Sequence, residues 1–266
     1  LPPARVRAVR RAGRRGGQKN KYYYDLHIHS CLSPCGDNDM TPNNIAGMAA
    51  LKGLNLLALT DHNTAKNCPA FFEACRRQGI VPIAGMELTT AEDIHIVCLF
   101  ETLEAALAFD AFVDGKRVKI KNRTDIFGEQ IICNGNDEPL GQEAYLLSNA
   151  TELPLEAAVE SARAHGAVVY PAHVDRQANG ILTTLGGLPP SPVFTAAEFH
   201  DDGRIAPLRE THAALAGLET VVCSDAHYLW DINEAEHYLL LDDEPYSSAL
   251  VRRRALEKLA GRGCGV

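Results

Sequence analysis

Apolar and polar positions alternate sharply at 22–30. After Tyr22-Tyr23-Tyr24 comes Asp25-Leu26-His27-Ile28-His29-Ser30, a period-two pattern that predicts a β-strand at 25–29. Successive strand side chains face opposite sides, so His27 and His29 are expected on one face and Leu26 and Ile28 on the other. Past a loop at 33–37, Thr41 is placed to cap a helix whose first turn holds Pro42, and Ile45, Met48, Ala49 and Leu51 form its apolar face. The rhythm then repeats. Strands are predicted at 54–60, 80–84, 95–100, 167–170, 196–199 and 220–223, with a helix at 67–78 whose Phe71, Phe72 and Cys75 face inward. Alternating strands and helices with short loops predict an α/β protein with a mostly parallel sheet, and seven such strands suggest a barrel. The stretch between His95 and His173 is too long for one strand–helix unit. Residues 104–119 read as helix, and 130–133 reads as a hairpin arm turning through Asn134-Gly135-Asn136-Asp137. We read 101–155 as an insertion able to cover the site.

The polar residues that end these strands change the picture. His27, His29, Asp37, His62, Glu87, His95, His173, Asp225 and His227 come from separate segments and are expected at one end of the sheet. Imidazole and carboxylate together suit Zn, Mn or Fe(II). Nine donors exceed what one ion takes, so a cluster of two or three divalent ions with bridging carboxylates is expected. Asp61 is assigned to orienting His62 or its helix rather than to metal. His165, His200, His212 and His237 are assigned to surface or structural positions, with His200 the exception to watch because it too follows a strand.

Composition adds bounds. The chain has 266 residues, 46% hydrophobic and 23% charged, as in ordinary globular proteins. It has no run of the roughly 18 apolar residues that suggest a membrane span, and residues 1–21 hold no secretory-type apolar segment. That stretch carries six Arg, two Lys and no acid, a basic tail expected to be disordered. With Leu rather than Met at position 1, trimming is expected. Subtracting the tail's +8 from the chain's −8 leaves −16 for residues 22–266. An acidic body argues against extended duplex nucleic acid, though not against a nucleotide or a short oligonucleotide. Eight scattered cysteines form no disulfide framework, and a reducing cytoplasm is the expected compartment. Cys98 and Cys223 read as buried hydrophobes, while Cys31 and Cys35 flank the first histidine pair as candidate soft ligands or redox-sensitive thiols.

In this order, Asp25-Leu26-His27-Ile28-His29-Ser30, Thr60-Asp61-His62, Gly85-Met86-Glu87, His95-Ile96-Val97, Pro171-Ala172-His173 and Ser224-Asp225-Ala226-His227 resemble the motifs of the PHP (polymerase and histidinol phosphatase) family. The resemblance runs from about residue 23 to 230. It implies a distorted (β/α)7 barrel, a trinuclear metal centre and phosphoester hydrolysis. It also implies that His27, His29, Glu87 and Asp225 hold a first metal, that Glu87 bridges to a second completed by His95 and His173, and that His62 and His227 hold a third. The loop after the His-x-His pair departs from the family's usual sequence. Asp37 is assigned there as the third-metal ligand, with Asp39 its rival.

The expected reaction is hydrolysis of a phosphomonoester, on a small metabolite or nucleotide, by a hydroxide bridging the first two metals. Arg176, three residues past His173, is expected to bind phosphate, with Arg123 and Lys121 as weaker candidates, and His227 or Asp37 to protonate the leaving oxygen. The main alternative is a nuclease or DNA-repair phosphoesterase tethering short nucleic acid through the basic tail. A metal-holding protein without turnover and a hydrolase of carbon–nitrogen bonds are the remaining readings. No membrane partner is expected, and the sequence leaves oligomeric state and substrate identity open.

Overall fold

The computed structural model describes residues 19–262. In chain order it contains β1 (Asn20–Ile28), α1 (Pro42–Leu51), β2 (Leu56–Leu59), α2 (Cys68–Gln78), β3 (Val81–Thr89), β4 (His95–Phe100), α3 (Leu103–Asp114) and the short α4 (Thr124–Phe127). There follow β5 (Ile131–Cys133), β6 (Pro139–Gln142), α5 (Leu155–Ala164), β7 (Val168–Pro171), α6 (Ile181–Leu185), β8 (Ala196–Phe199), α7 (Ile205–Thr211), β9 (Glu219–Val222), β10 (Tyr238–Leu241) and α8 (Ser248–Leu259). Local chemistry sets the boundaries. Thr41, Thr102 and Ser247 cap α1, α3 and α8 by accepting from Asn44, Ala105 and Leu250 N–H. Gly79, at φ 73°, ends α2 in the left-handed conformation.

The main sheet runs β10-β1-β2-β3-β4-β7, and β8-β9 form a second, parallel pair. Two backbone links bring them together. Val174 N–H donates to Glu198 O (2.8 Å), and His29 N–H donates to Ala226 O (3.0 Å). The result is a mixed α/β fold on a curled sheet. It differs from the expected mostly parallel sheet because β4 runs antiparallel to both β3 and β7. Only five residues separate β3 from β4, which suffices for a hairpin but not for a parallel crossover. An added antiparallel strand, β10, pairs with the first half of β1. Asn20 and Lys21, read from sequence as the end of the tail, therefore belong to β1; residues 1–18 lie outside the described residues.

Two apolar layers define the two faces of the sheet. The inner cluster gathers Tyr24, Leu26, Ala58, Ile83, Leu99, Tyr170 and Val221 with Val251, Leu256 and Leu259 of α8. The outer cluster packs Leu57, Leu59, Met86 and Cys98 beneath α1, α2, α3 and α5. Parity along each strand then decides which polar side chains reach the interior: Ile83 is inner and Met86 outer, so Glu87 points in. In β1 the parity breaks. Leu26 is inner and Ile28 outer, against the expectation that they share a face, because the β1–β2 register shifts between Asp25 and Ile28. Such an irregularity re-aims the following side chains, here sending both His27 and His29 to the interior.

Helix α3 packs on β3 and β4 as an ordinary sheet helix through Ala106, Phe109 and Val113. The β5–β6 hairpin leans on the loop after β1. Ile131 N–H donates to Cys31 O (2.9 Å), and the Asp137 carboxylate accepts from Thr41 Oγ1 (2.6 Å) and from Asn43. Among the described residues, no helix is long and apolar enough to cross a membrane.

Candidate metal centre

Eight of the nine expected donors meet at one end of the curled sheet. Glu87, 1% exposed, is the hub. Its Oε1 lies 2.7 Å from His95 Nδ1, 3.1 Å from His173 Nε2 and 3.4 Å from His27 Nε2; its Oε2 lies 3.0 Å from His62 Nδ1 and 3.2 Å from His29 Nε2. Asp225 Oδ1 is 3.2 Å from His27 Nε2 and 3.0 Å from His29 Nε2. Gly85 makes the close packing beneath Glu87 possible, since a Cβ there would meet Thr60 Cγ2 at 2.8 Å and Leu99 Cδ2 at 2.9 Å. His173 and Asp225 both adopt positive φ, 26° and 51°, a conformation costly for non-glycine residues and found where a site demands it.

The donors form three groups whose ligand atoms lie within 4.8 Å of one another: His27, His29, Glu87 and Asp225; His62, Glu87 and His95; and His29, His62 and His227. His173 joins the second through contacts to Glu87 and to His95 Nδ1 (3.3 Å). Asp37 enters none of them. It is half-exposed, and its carboxylate accepts the Asp39 N–H (2.8 Å), closing a local turn; Asp39 is exposed. Arg123 is exposed and paired with Asp125 in its own turn, and Lys121 is exposed on the insertion.

Hydrogen bonds behind the cluster fix which nitrogen of each ring is free. Glu198, buried on β8, accepts from His27 Nδ1 (2.8 Å) and from His173 N–H (3.1 Å). Ser33 Oγ donates to Asp61 Oδ1 (2.8 Å) and so accepts from His29 Nδ1 (2.8 Å) and His62 N–H (3.2 Å). His227 Nδ1 donates to the Asp225 carbonyl (2.7 Å). Each of His27, His29 and His227 thus keeps its proton on Nδ1 and presents the Nε2 lone pair, as histidine ligands do. Asp61 also accepts from Ser30 N–H (2.6 Å) and Oγ (2.7 Å), so it organises the loop after β1, where the sequence assigns it to His62 or its helix. Glu198 and Ser33 were missed from sequence. A lone carboxylate inside the buried strand Ala196-Ala197-Glu198-Phe199 was the available signal.

The electrostatics are those of crowded, opposed charges. Burial would lower the His27 pKa, but Glu198, Glu87 and Asp225 outweigh it and raise it well above its usual value. His29 is raised to about 9 against the burial effect by Asp225 and Glu87. His62 also reaches about 9, with burial and His29 opposing and Glu87 and Cys35 raising it. Burial acts to raise Glu87, yet His95, His27 and His62 hold it well below the carboxylate range. Burial and the charge of His29 push His227 down to about 3.

A cleft of ≈ 600 Å³ opens over Asp225 and His227, lined also by Cys35, Arg176, His200 and Tyr228. Arg176 pairs with Asp225 Oδ2 and donates to His200 Nδ1 (3.1 Å). Asp175 holds His200 there by accepting its N–H (2.9 Å). Of the four histidines set aside from sequence, His200 alone lines this cleft; His165 bonds Ser161 O and His237 pairs with Asp202.

Comparison with known proteins agrees with this geometry. The PHP domain family model matches residues 25–166, and the chain belongs to that family. A 5'-3' exoribonuclease of Haemophilus influenzae is 38% identical over 79 residues, 29% of this chain and 28% of the relative. A 3',5'-nucleoside bisphosphate phosphatase of Chromobacterium violaceum is 36% identical over 88 residues, 32% of this chain and 30% of the relative. The matches thus span under a third of these relatives. Among solved structures, a lesion-specific endonuclease of Pyrococcus furiosus superposes with a TM-score of 0.58 at 18% identity, over 92% of this chain and 57% of that one.

The family implies divalent metal ions, and these donors fit them. Glu87 Oε2, Asp225 Oδ1 and His62 Nδ1 are buried without a hydrogen-bond partner, a costly state unless a cation satisfies such groups. The 3.0–3.4 Å spacing of the first group also matches the edge, about 3.0 Å octahedral or 3.4 Å tetrahedral, of donors about 2.1 Å from a common centre.

Proposed function

We propose that this chain is a metal-dependent phosphoesterase that hydrolyses a phosphomonoester on a small metabolite or nucleotide at a trinuclear centre. The observation that carries this reading is the Glu87 carboxylate, buried and set within 3.4 Å of five imidazoles, in a cluster whose Asp225 and His227 line an open cleft. His27, His29, Glu87 and Asp225 would hold one ion, Glu87, His95 and His173 a second, and His62 and His227 a third. Bound divalent ions there supply Lewis-acid stabilisation of phosphoryl charge and lower the pKa of water.

The remaining work falls to the chain's own groups. Arg176 stands where its guanidinium can leave Asp225 for a phosphoryl oxygen pair, a bidentate fit that lysine lacks. His227 has no proton to give as an acid near neutral pH, because its pKa is about 3 and its Nδ1 proton is committed to a backbone carbonyl. His200 contributes a hydrogen bond instead: Arg176 donates to its Nδ1 lone pair, which leaves the Nε2 N–H beside the cleft to donate to a phosphoryl or leaving oxygen. Tyr228 is 51% exposed at the cleft wall, a surface on which a nucleobase can stack, and this favours a nucleotide among the phosphomonoesters.

The test is a panel of phosphorylated metabolites and nucleotides on protein reconstituted with Zn, Mn or Fe. Release of inorganic phosphate that vanishes in Glu87→Gln supports the reading, and turnover retained in that variant sinks it. The names of the exoribonuclease and endonuclease relatives favour a second reading, cleavage of short nucleic acid. Oligonucleotide turnover that falls steeply with salt and on deleting residues 1–18 selects it; insensitivity to both leaves the phosphomonoester reading standing.

A further inference from the structure

Cys31 and Cys133 are far apart in the chain and meet where the insertion leans on the loop after β1. Their sulfurs lie 3.6 Å apart across a sequence separation of 102. Both are buried, at 0% and 4% exposure. The metal centre uses neither, since the three donor groups contain no cysteine. Cys68, Cys75, Cys98 and Cys223 are buried too, but among the described residues only Cys31 and Cys133 bring two thiols together.

The backbone is fixed on both sides of the pair. Cys31 N–H donates to Met40 O (2.8 Å), and Cys31 O accepts from Ile131 N–H (2.9 Å). Cys133 N–H donates to Asn67 Oδ1 (2.9 Å), while Asn67 Nδ2 donates to Ile131 O (3.0 Å) and to Ser30 Oγ (3.0 Å). The thiols therefore face each other across the seam between that loop and the β5–β6 hairpin. A disulfide sets its sulfurs about 2.05 Å apart, so closing the gap takes about 1.5 Å, a distance that rotation about χ1 at two cysteines can cover. A hydrogen bond from Cys31 lowers the Cys133 pKa against the effect of burial, which makes Cys133 the better nucleophile. Access comes from the hairpin itself. β6 is exposed along its whole length and pairs with β5 alone, and a two-stranded unit opens locally more readily than a larger sheet.

We propose that Cys31 and Cys133 form a redox modification site, where a reversible disulfide clips the β5–β6 hairpin to the loop that carries Ser30 and Ser33 behind the metal centre. The oxidant is a low-molecular-weight disulfide. The Cys133 thiolate attacks one of its sulfurs, forming a mixed disulfide and expelling one small thiolate. The Cys31 thiolate then attacks Cys133 Sγ, forming the Cys31–Cys133 bond and expelling the second. The two cysteine protons end on the two small thiols, and the two electrons given up by the protein sulfurs reduce the small disulfide. The clip constrains the unfolded chain over a long loop and stops the hairpin from opening.

The test treats the reduced full chain with glutathione disulfide at neutral pH. The expected product has lost two titratable thiols, and non-reducing peptide mapping recovers the Cys31 and Cys133 peptides joined. Its Tm should rise by at least about 5 °C, exchange of the Ile131 and Cys133 amides should slow at least about tenfold, and dithiothreitol should reverse both. Cys31→Ser should stop at a mixed disulfide on Cys133 with neither change. Cys35→Ser, altering the exposed thiol of the same loop, should cross-link as the wild type does. The oxidised and reduced wild type supply the decisive comparison, so a variant that misfolds does not blunt it. A wild-type chain that keeps both thiols, stops at a mixed disulfide or joins other cysteines overturns the proposal. Metal binding and phosphate release are separate measurements, so the phosphoesterase reading is decided independently.

Discussion

Replacing Glu198 by Gln removes one negative charge behind the metal centre while keeping its shape. Glu198 Oε1 receives both His27 Nδ1 (2.8 Å) and the His173 N–H (3.1 Å), and Glu198 and His27 are 1% and 0% exposed. The carboxylate raises the basicity of His27 and locks its ring with Nε2 toward Glu87 and Asp225. A glutamine oxygen still accepts both bonds, but they become neutral ones, roughly half as strong. Its new NH2 falls where Glu198 Oε2 now has no partner. Loss of such a group behind a histidine ligand costs 10–100-fold in metal affinity, or about 1.4–2.8 kcal/mol. Competition against a chelating indicator at fixed pH measures this directly, with circular dichroism to establish that the fold persists. The variant should release the ion of the first subsite tenfold to hundredfold more readily. An affinity within twofold of wild type in a folded Glu198→Gln protein would refute the view that Glu198 sets the ring and charge of His27.

Three further outcomes follow from the same contacts. Arg176→Ala should raise KM for a phosphomonoester at least tenfold, and Arg176→Lys should recover only part of it because the bidentate fork is lost; equal kinetics for all three proteins would remove Arg176 from phosphate binding. Asp61→Asn weakens a carboxylate that accepts from Ser30 N–H, Ser30 Oγ and Ser33 Oγ. It should cost about 2–4 kcal/mol, seen as a fall in Tm of roughly 5–15 °C, and an unchanged Tm would contradict it. In chelator-stripped protein, His29 and His62 have folded-state pKa values of about 9 against 6.5 ordinarily. Their contribution to stability is therefore complete below about pH 6.5 and is lost as pH rises through about 9. The Tm of stripped protein should fall across that window while metal affinity climbs as protons leave, and a Tm that rises from pH 6.5 to 9 would reverse the sign.

How much of this was legible beforehand depends on which forces the sequence displays. The strand ends at His27, His62, Glu87, His173 and Asp225 were readable because each closes an apolar run, and His95 because it opens one, at the start of the antiparallel β4. The helix starts at Thr41 and Pro42 were equally plain, since capping is local. What failed was non-local. The direction of β4 depends on a five-residue connection and on pairing with β7, which no periodicity records. The shift in β1 between Asp25 and Ile28 is set by its neighbour β2, so strict alternation gave the right facing for His27 and His29 but the wrong one for Leu26.

The site's supporting groups were hidden for a related reason. Glu198 and Ser33 touch no substrate-like position and carry no spacing of their own; they matter because folding stacks them behind His27 and His29. Asp37 illustrates the converse. A carboxylate close to a ligand pair in sequence is a reasonable donor, yet the Asp39 N–H engages it in a local turn and it joins none of the three donor groups. Proximity along the chain is therefore a poor guide within a tight turn, where local hydrogen bonds rather than distance in sequence decide whether a side chain joins the imidazoles.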